Sequence, residues 1–510
     1  MIDNHLILPV IAQLMVGIVL LLFWKADKTL RVLSVVGSLI VLGLSIHLFY
    51  KVWNEGILIM NAANWKAPFG IVFVADAFSS TMVLLTSIAG LAVSVFSTIA
   101  VSRQRAQFGY FAIYHILLMG LTGAFLTGDI FNLYVWFEVI IISSFVLLTL
   151  GGRKGQIEGA VKYMAMNILA SMIFLTGIGI LYGITGTLNM ADLSLKVAQV
   201  ENKSLVNLAS FFFIVGFGIK SAVFPLYFWL PSSYHTPPSA VAAIFGGLLT
   251  KVGIYALYRM FTLIFIPDVY MKSIFIGIAV LTILTGAFGA ILKVNIRRLF
   301  SYLIVCHLGY MVAGLGLFNK VAIMGAMFYL IHDIVVKTNI FMVSGLIRNI
   351  GGSLNMDRIG GFYASWPKLS LLMGVVLFSL VGIPPLSGFW PKIYLFEGGF
   401  EAGNYFYIAA LVTGSMVTLF VIARMWSKVF WKSDPEPDID RRAALGSLDF
   451  LLWEPSKQAL LVVPIAFLAL VSLYIGFGAE HIVLLVDRIA TEMLDPSQYV
   501  RAVLGTNVLP

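Results

Sequence analysis

The stretch GFGIKSAVFPLYFWLPSSYHTPPSA, residues 216–240, decides how the chain is read. It begins inside a long apolar run, yet it sets a cation, Lys220, in that run and follows it with Pro225, Pro231, Pro237 and Pro238. An interior proline removes a helix hydrogen bond and clashes with the preceding turn. A buried-looking lysine beside a broken helix poses one question first: what solvent surrounds them.

Composition answers it. The chain has 510 residues, 60% hydrophobic and 11% charged, with a mean hydropathy of +0.97. Soluble domains carry about 25% charged residues. This much apolar side chain cannot be wrapped inside a water-facing globule, so lipid is the solvent. About fourteen apolar runs reach the roughly 20 residues that cross a bilayer as helix. They lie near residues 6–24, 30–50, 71–100, 107–127, 129–150, 160–184, 205–232, 238–262, 273–292, 299–317, 321–347, 369–397, 404–430 and 459–479. The alternation that a barrel needs is missing, and only helices then satisfy the backbone in lipid. The sequence predicts an all-α polytopic membrane protein of about 14 transmembrane helices. The first run, from Leu6, lacks a basic start and a small-residue cleavage site, and reads as a permanent helix rather than a signal peptide.

Basic residues orient the bundle. Loops after odd-numbered helices hold about nineteen of the Lys and Arg residues, against about seven after even-numbered ones. Odd loops therefore face the cytoplasm and both termini lie outside. The net charge of +9 is mostly this asymmetry, scattered beside the membrane rather than gathered into a nucleic-acid patch.

Cys306 is alone, which excludes a disulfide and a thiolate cluster within the chain. His47, His115, His307 and His332 are isolated, and a lone helix histidine reads as a hydrogen-bonded core residue. GFGIKS lacks the adjacent Gly-Lys of a phosphate-binding loop and does not follow a strand. No cofactor is expected, and any redox or nucleotide chemistry coupled to this chain belongs to partners.

The charges inside the helices carry the functional signal. Lys220, Lys251 and Lys337 fall near the middle of apolar runs, Glu138 lies in the run at 129–150, and Lys392 in the last third of the run at 369–397. Each costs about 3 kcal/mol or more at mid-bilayer unless paired or hydrated. A lysine stem reaches on the order of 6 Å, about four residues of helix rise, so the first three are too far from a helix end to snorkel. Snorkelling stays open for Lys392, and structural salt bridges are the second bland reading. The functional default is an ion pathway. A free lysine, with a pKa of about 10.4, is a poor relay at neutral pH. Burial favours proton release and a nearby carboxylate favours retention. Glu138 approaching and leaving Lys220 would load and unload it.

A second break stands in VGIPPLSGFWPK, with Pro384, Pro385, Gly388 and Pro391 ahead of Lys392. Two interrupted hydrophobic segments, one in each half and each with a lysine, point to a transporter built of inverted repeats.

These residues carry a resemblance. GIKSAVFPLYFWLPSSYHTPPSAVAAIFGGLLTKVGIYAL is similar to the core signature of the antiporter-like subunits of respiratory complex I, membrane-bound hydrogenases and Mrp-type multisubunit cation/proton antiporters. FNLYVWFEVIIISSF resembles that family's Glu-bearing helix, FYLIHDIVVKTNIFM its His/Lys helix and GIPPLSGFWPK its second broken helix. The resemblance spans nearly the whole chain. It implies two inverted five-helix repeats, helices 4–8 and 9–13, each containing a broken helix, helices 7 and 12. On that layout residues 1–106 are helices 1–3, 107–265 the first repeat, 266–432 the second, and 433–510 a cytoplasmic loop, helix 14 and a tail. It further implies that Glu138, Lys220 and Lys251 belong to the first half-channel, that Lys337 connects, and that Lys392 is the outlet. Complex I members often have His four residues before the connecting lysine. Here that position is Asp333 and the histidine is His332, leaving Asp333 or water to carry the relay. The histidine that some members place in the eighth helix is absent near Gly246 and Gly247. One complex I branch has Glu where Lys392 stands, and another has a long lateral C-terminal helix for which this sequence has no room. LLTKVGIYAL and LDPSQYVRAVLG look most like the D-subunit branch of the Mrp-type Na+/H+ antiporters.

Asp76 in VADAFSS matches an acidic family position and equally fits a helix cap, and Asp129 at the start of helix five reads as a cap of the same kind. SDPEPDIDRR, residues 433–442, reads as a cytoplasmic loop. The expectation is a non-enzymatic, proton-translocating subunit of a multisubunit Na+/H+ antiporter, in a prokaryotic cell membrane among other subunits. The alternative is a proton-pumping arm of a redox complex. No cluster of oxygen ligands within one helix marks a Na+ site.

Overall fold

The computed structural model describes residues 3–67, 69–436 and 454–505. Helices α1 (Leu8–Leu22) and α2 (Asp27–Glu55) open it. A hairpin follows, β1 (Leu58–Asn61) antiparallel to β2 (Val72–Ala75), with Leu58 opposite Ala75. Next come α3 (Ala77–Ala100), α4 (Tyr110–Leu126), α5 (Ile130–Thr149), α6 (Lys154–Thr185) and the short α7 (Met190–Gln199). The chain continues through α8 (Lys203–Ser221), α9 (Trp229–Ser233) and α10 (Ser239–Leu263). Then follow α11 (Val269–Ile291), α12 (Ile296–Leu317), α13 (Lys320–Gly351), α14 (Pro367–Val381), α15 (Phe389–Glu401) and α16 (Tyr405–Trp431). The end of the described chain holds α17 (Pro455–Phe477), α18 (Ala479–Leu494) and α19 (Ser497–Leu504). Most of the polar loop at 433–442 lies outside the described residues.

Among the described residues twelve helices are long and apolar enough to cross a membrane, and α4 and α14 are shorter apolar helices. Their positions correspond to the fourteen runs read from the sequence. The third run becomes helical only at Ala77, because Val72–Ala75 pairs as a strand. Asp76 sets the boundary. Its side chain accepts from Ser79 N (2.8 Å) while Ser79 Oγ accepts from Asp76 N (2.9 Å), a reciprocal cap. Asp129 caps α5 in the same sense, accepting from Asn132 N at 2.7 Å.

Both interrupted helices are present and end alike. At the first, α8 stops at Ser221, and Ala222 takes the left-handed conformation (φ 54°) with its N–H turned back to Gly218 and Ile219 O. At the second, α14 stops at Val381 and Gly382 does the same (φ 83°), bonding Phe378 and Ser379 O. Each is a C-terminal cap that closes the helix before its prolines arrive. The freed carbonyls need donors in a medium without bulk water. Trp229 Nε1 donates to Ile219 O (3.0 Å) at the first break, and Lys392 Nζ donates to Val381 O (2.6 Å) at the second.

Helices α10, α12 and α13 are buried along nearly their whole length, whereas α1, α2, α6 and α16 keep apolar faces exposed. Exposed Met15, Leu22, Val32, Val161, Met172, Met416 and Phe420 belong to those outer helices, as lipid-facing or partner-facing surfaces require. The buried trio carries Lys251, His307, Asp333 and Lys337.

Candidate functional site

Asp333, on α13, is the hub. Its Oδ2 lies 2.7 Å from Lys251 Nζ on α10, and its Oδ1 lies 3.3 Å from His307 Nδ1 on α12 and 3.9 Å from Lys337 Nζ one turn along α13. All four side chains are fully buried. Helical spacing brings Asp333 and Lys337 to one face, while the other contacts require three helices to meet. Lys251 donates its directed hydrogen bond to Gly246 O at 2.8 Å. That carbonyl belongs to a π-helical turn, Phe245–Leu249, inside α10. Such bulges re-aim backbone groups and cluster at functional sites.

Lys220 is 4% exposed, in the last turn of α8. Its ammonium donates to Ser171 Oγ on α6 (3.1 Å) and lies 4.4 Å from the centre of the Phe137 ring. Glu138, the next residue on α5, is half-buried, and its Oε1 is buried without a hydrogen-bond partner. No ion pair or hydrogen bond joins Glu138 to Lys220 among the described residues. A cation on a ring face and a hydroxyl is held less firmly than one on a carboxylate.

Lys392, at the start of α15, is 6% exposed, and its bond to Val381 O turns it inward, so it does not snorkel. The contact places a cation on the negative end of α14. His332 Nδ1 pairs with Ser387 Oγ (2.8 Å), which pairs with Ser472 Oγ (2.8 Å) on α17, and Nε2 has no partner. The chain thus brings Lys251, Asp333 and Lys337 into contact, and ties His332 to the second break rather than to Asp333.

Between Lys220 and Lys251 the helices touch. A methyl group built on Gly253 of α10 would stand 2.9 Å from Ser221 N, so only glycine allows this approach. The hydroxyls of Ser221 and Thr250 are buried in this region without hydrogen-bond partners, as is Ser379 Oγ near the second break, and Lys337 Nζ has its ion pair with Asp333 but no hydrogen bond. Buried polar groups left open in this way are sites for bridging water. Four buried lysines face one fully buried and one half-buried carboxylate, so charge balance depends on how many lysines hold a proton at once. Among the described residues no three His, Cys, Asp or Glu side chains converge as a metal site.

Sequence reasoning missed two groups. His307 read as an isolated core histidine, and nothing local signals that α12 sets it against Asp333. Arg259, near the end of the run at 238–262, forms a buried two-point pair with Asp76 (2.6 and 3.0 Å) and also donates to Tyr255 OH (3.1 Å). An intramembrane arginine with Asp76 as the available carboxylate was a readable signal.

The fold and these buried charges define a polytopic membrane protein whose charged residues cluster at interrupted helices. Residues 127–418 match the family described as NADH:quinone oxidoreductase/Mrp antiporter, TM. The D-subunit of the Na(+)/H(+) antiporter of Alkalihalophilus pseudofirmus is 40% identical over 98% of this chain and 99% of its own length. Among solved structures, a chain of the Mrp complex from Dietzia sp. DQ12-45-1b superposes with a TM-score of 0.89 at 27% identity, covering 98% of this chain and 99% of that one. A chain of the archaeal membrane-bound sulfane sulfur reductase shares the fold, with a TM-score of 0.86 at 24% identity over 97% of this chain and 99% of that one. This chain belongs to the NADH:quinone oxidoreductase/Mrp antiporter membrane-subunit family.

Proposed function

We propose that the chain is the proton-translocating subunit of a multisubunit Na+/H+ antiporter, a transporter subunit rather than an enzyme. Protons move along Glu138, Lys220, Lys251, Lys337 and Lys392, with Asp333 as the shared counter-charge and His332 as a donor or acceptor at the second break. The observation that carries this is Asp333 set between Lys251 and Lys337 with every side chain buried. Groups that cost this much to desolvate are the default markers of an ion route. The names of the relatives support the antiport reading. The redox alternative has weaker support: the sulfane sulfur reductase resembles this chain in fold alone.

Two inverted repeats, helices 4–8 and 9–13, account for the matched caps of the two breaks. Basic loops support a cytoplasmic side after odd helices and both ends outside, and the bacterial relatives support a prokaryotic cell membrane. The composition of the complex extracted in mild detergent separates the two readings. Small hydrophobic antiporter subunits support antiport, and iron–sulfur proteins contradict it. Within that complex, Glu138→Gln and Lys220→Ala are expected to abolish proton-coupled transport in vesicles while assembly persists. Normal antiport by either variant refutes the role given to that residue.

A further inference from the structure

Lys220 needs a route from solution, and none of the residues named so far supplies one. Two cavities flank the second piece of the first broken helix. The outer one is a polar vestibule of about 240 Å³, lined by Glu158, Lys162, Ser232, His235, Thr236 and Arg298 among others. It opens on the side of the bundle that carries Lys154, Lys293 and Arg298. The inner one is a chamber of about 10 Å³ lined by Phe137, Tyr163, Asn167, Lys220, Trp229 and Tyr234. A space of that size holds about one water. Adjacent residues serve the two: His235 lines the vestibule and Tyr234 the chamber that contains Lys220.

The polar atoms fit a relay. Tyr234 is fully buried and its hydroxyl has no hydrogen-bond partner, an arrangement that a single water in the chamber would complete. His235 Nδ1 lies 2.9 Å from Pro231 O. A carbonyl only accepts, so Nδ1 carries the hydrogen and Nε2 is left as the acceptor. From the geometry we infer that Tyr234 and His235 form the inlet of the buried lysine line, His235 exchanging protons with the vestibule and the Tyr234 hydroxyl, with one water, passing them to Lys220. The inference rests on the proton-translocating reading above. The hydroxyl gains one proton on its lone pair as it gives up its own, so Tyr234 ends each transfer unchanged. Burial first, and then the Arg298 and Arg297 charges, push the His235 ring down to about 4, against the opposing pull of the Pro231 carbonyl and Glu158. The ring is thus neutral at pH 7 and takes a proton only in passing.

Tyr234→Phe keeps the ring and, because the hydroxyl has no protein partner, breaks no hydrogen bond. A packing role for Tyr234 therefore leaves that variant normal. The test compares Tyr234→Phe, His235→Ala and Lys220→Ala in the intact complex in vesicles. Antiport is expected to fall roughly tenfold or more in the first two, and imidazole on the vestibule side is expected to restore part of the His235→Ala rate. Lys220→Ala active at the wild-type rate would mean that the buried-line reading itself has failed. Lys220→Ala inactive, with Tyr234→Phe and His235→Ala at the wild-type rate, overturns the inlet alone. A His235→Ala loss that imidazole leaves untouched overturns proton transfer through that ring.

Discussion

Lys251 and Asp333 stand 2.7 Å apart on two different helices, with neither side chain exposed. Lys337 looks at the same carboxylate from 3.9 Å, so one anion serves two cations. Removing one member of a buried pair costs about 3–5 kcal/mol, because the survivor is left uncompensated. Asp333→Asn strands both lysines and is expected to lower the thermal midpoint of the purified complex and to stop antiport. Adding Lys251→Met to Asp333→Asn recovers part of the lost stability without recovering antiport. Strictly additive losses in the double variant would show that the pair is not coupled.

His307 shares Asp333 with the lysines and reaches Thr418 Oγ1 with its other nitrogen at 3.5 Å. Its contact is with Asp333 rather than with a lysine, which makes it a candidate positioning residue. His307→Gln, which keeps a donor, is predicted to retain more antiport than His307→Leu. The comparison is made on rates at saturating Na+ and across external pH. Equal rates in the two variants and the wild type would remove His307 from the pathway.

Gly253 carries no charge, yet it lets α10 approach Lys220 and Ser221. Gly253→Leu forces the two helices apart at a backbone contact, an overpacking that costs about 1–3 kcal/mol. Antiport is expected to fall sharply, with the complex still assembled. Wild-type transport by Gly253→Leu would show that the spacing between Lys220 and Lys251 does not matter.

Which positions hold charge in the membrane was legible in the sequence, and which groups meet was not. Lys220, Lys251, Lys337, Lys392 and Glu138 stood out because an ionisable side chain in an apolar run is expensive wherever it falls. The two breaks stood out because proline cannot continue a helix. Asp333 was named from its place before Lys337, but its contact with Lys251 depends on how α10 packs on α13. His307 carried no local sign at all. The hairpin strand Val72–Ala75 merged with the third apolar run, since a short apolar stretch has no period that separates strand from helix. Ser387, which holds His332, and Ser472, which holds Ser387, lie on separate elements with no pattern linking them.

The end of the described chain is fastened by charge. Arg488 on α18 donates to Val52 and Trp53 O at the end of α2, and to Glu492, whose other oxygen accepts from Ala77 N. Burial, and next the Asp76 charge, push the Glu492 carboxyl above its usual range. A carboxyl raised on folding contributes stability at pH values below its unfolded pKa, and that contribution is lost as pH rises through the folded value. Hydrogen exchange in residues 479–504 is therefore expected to quicken from pH 5 to pH 8, beyond the intrinsic rate change, and Glu492→Gln to flatten that dependence. An unchanged pH dependence in Glu492→Gln would assign it to another group.

Lys392 caps the end of α14 and is the proposed outlet. If only an ionisable group is needed there, Lys392→Glu keeps part of the antiport. Because Val381 O then loses its donor, the rate is expected to fall well below that of the wild type. Complete loss would show that positive charge itself is required.

The most direct measurement is Na+/H+ antiport by the intact complex in sealed vesicles with Lys251→Met, which keeps the length and apolar stem of the side chain and removes its proton site. A continuous buried line predicts no antiport above the protein-free baseline, with every subunit still present. Antiport at the wild-type rate would mean that protons cross without Lys251, and that the Lys251–Asp333 contact is only structural.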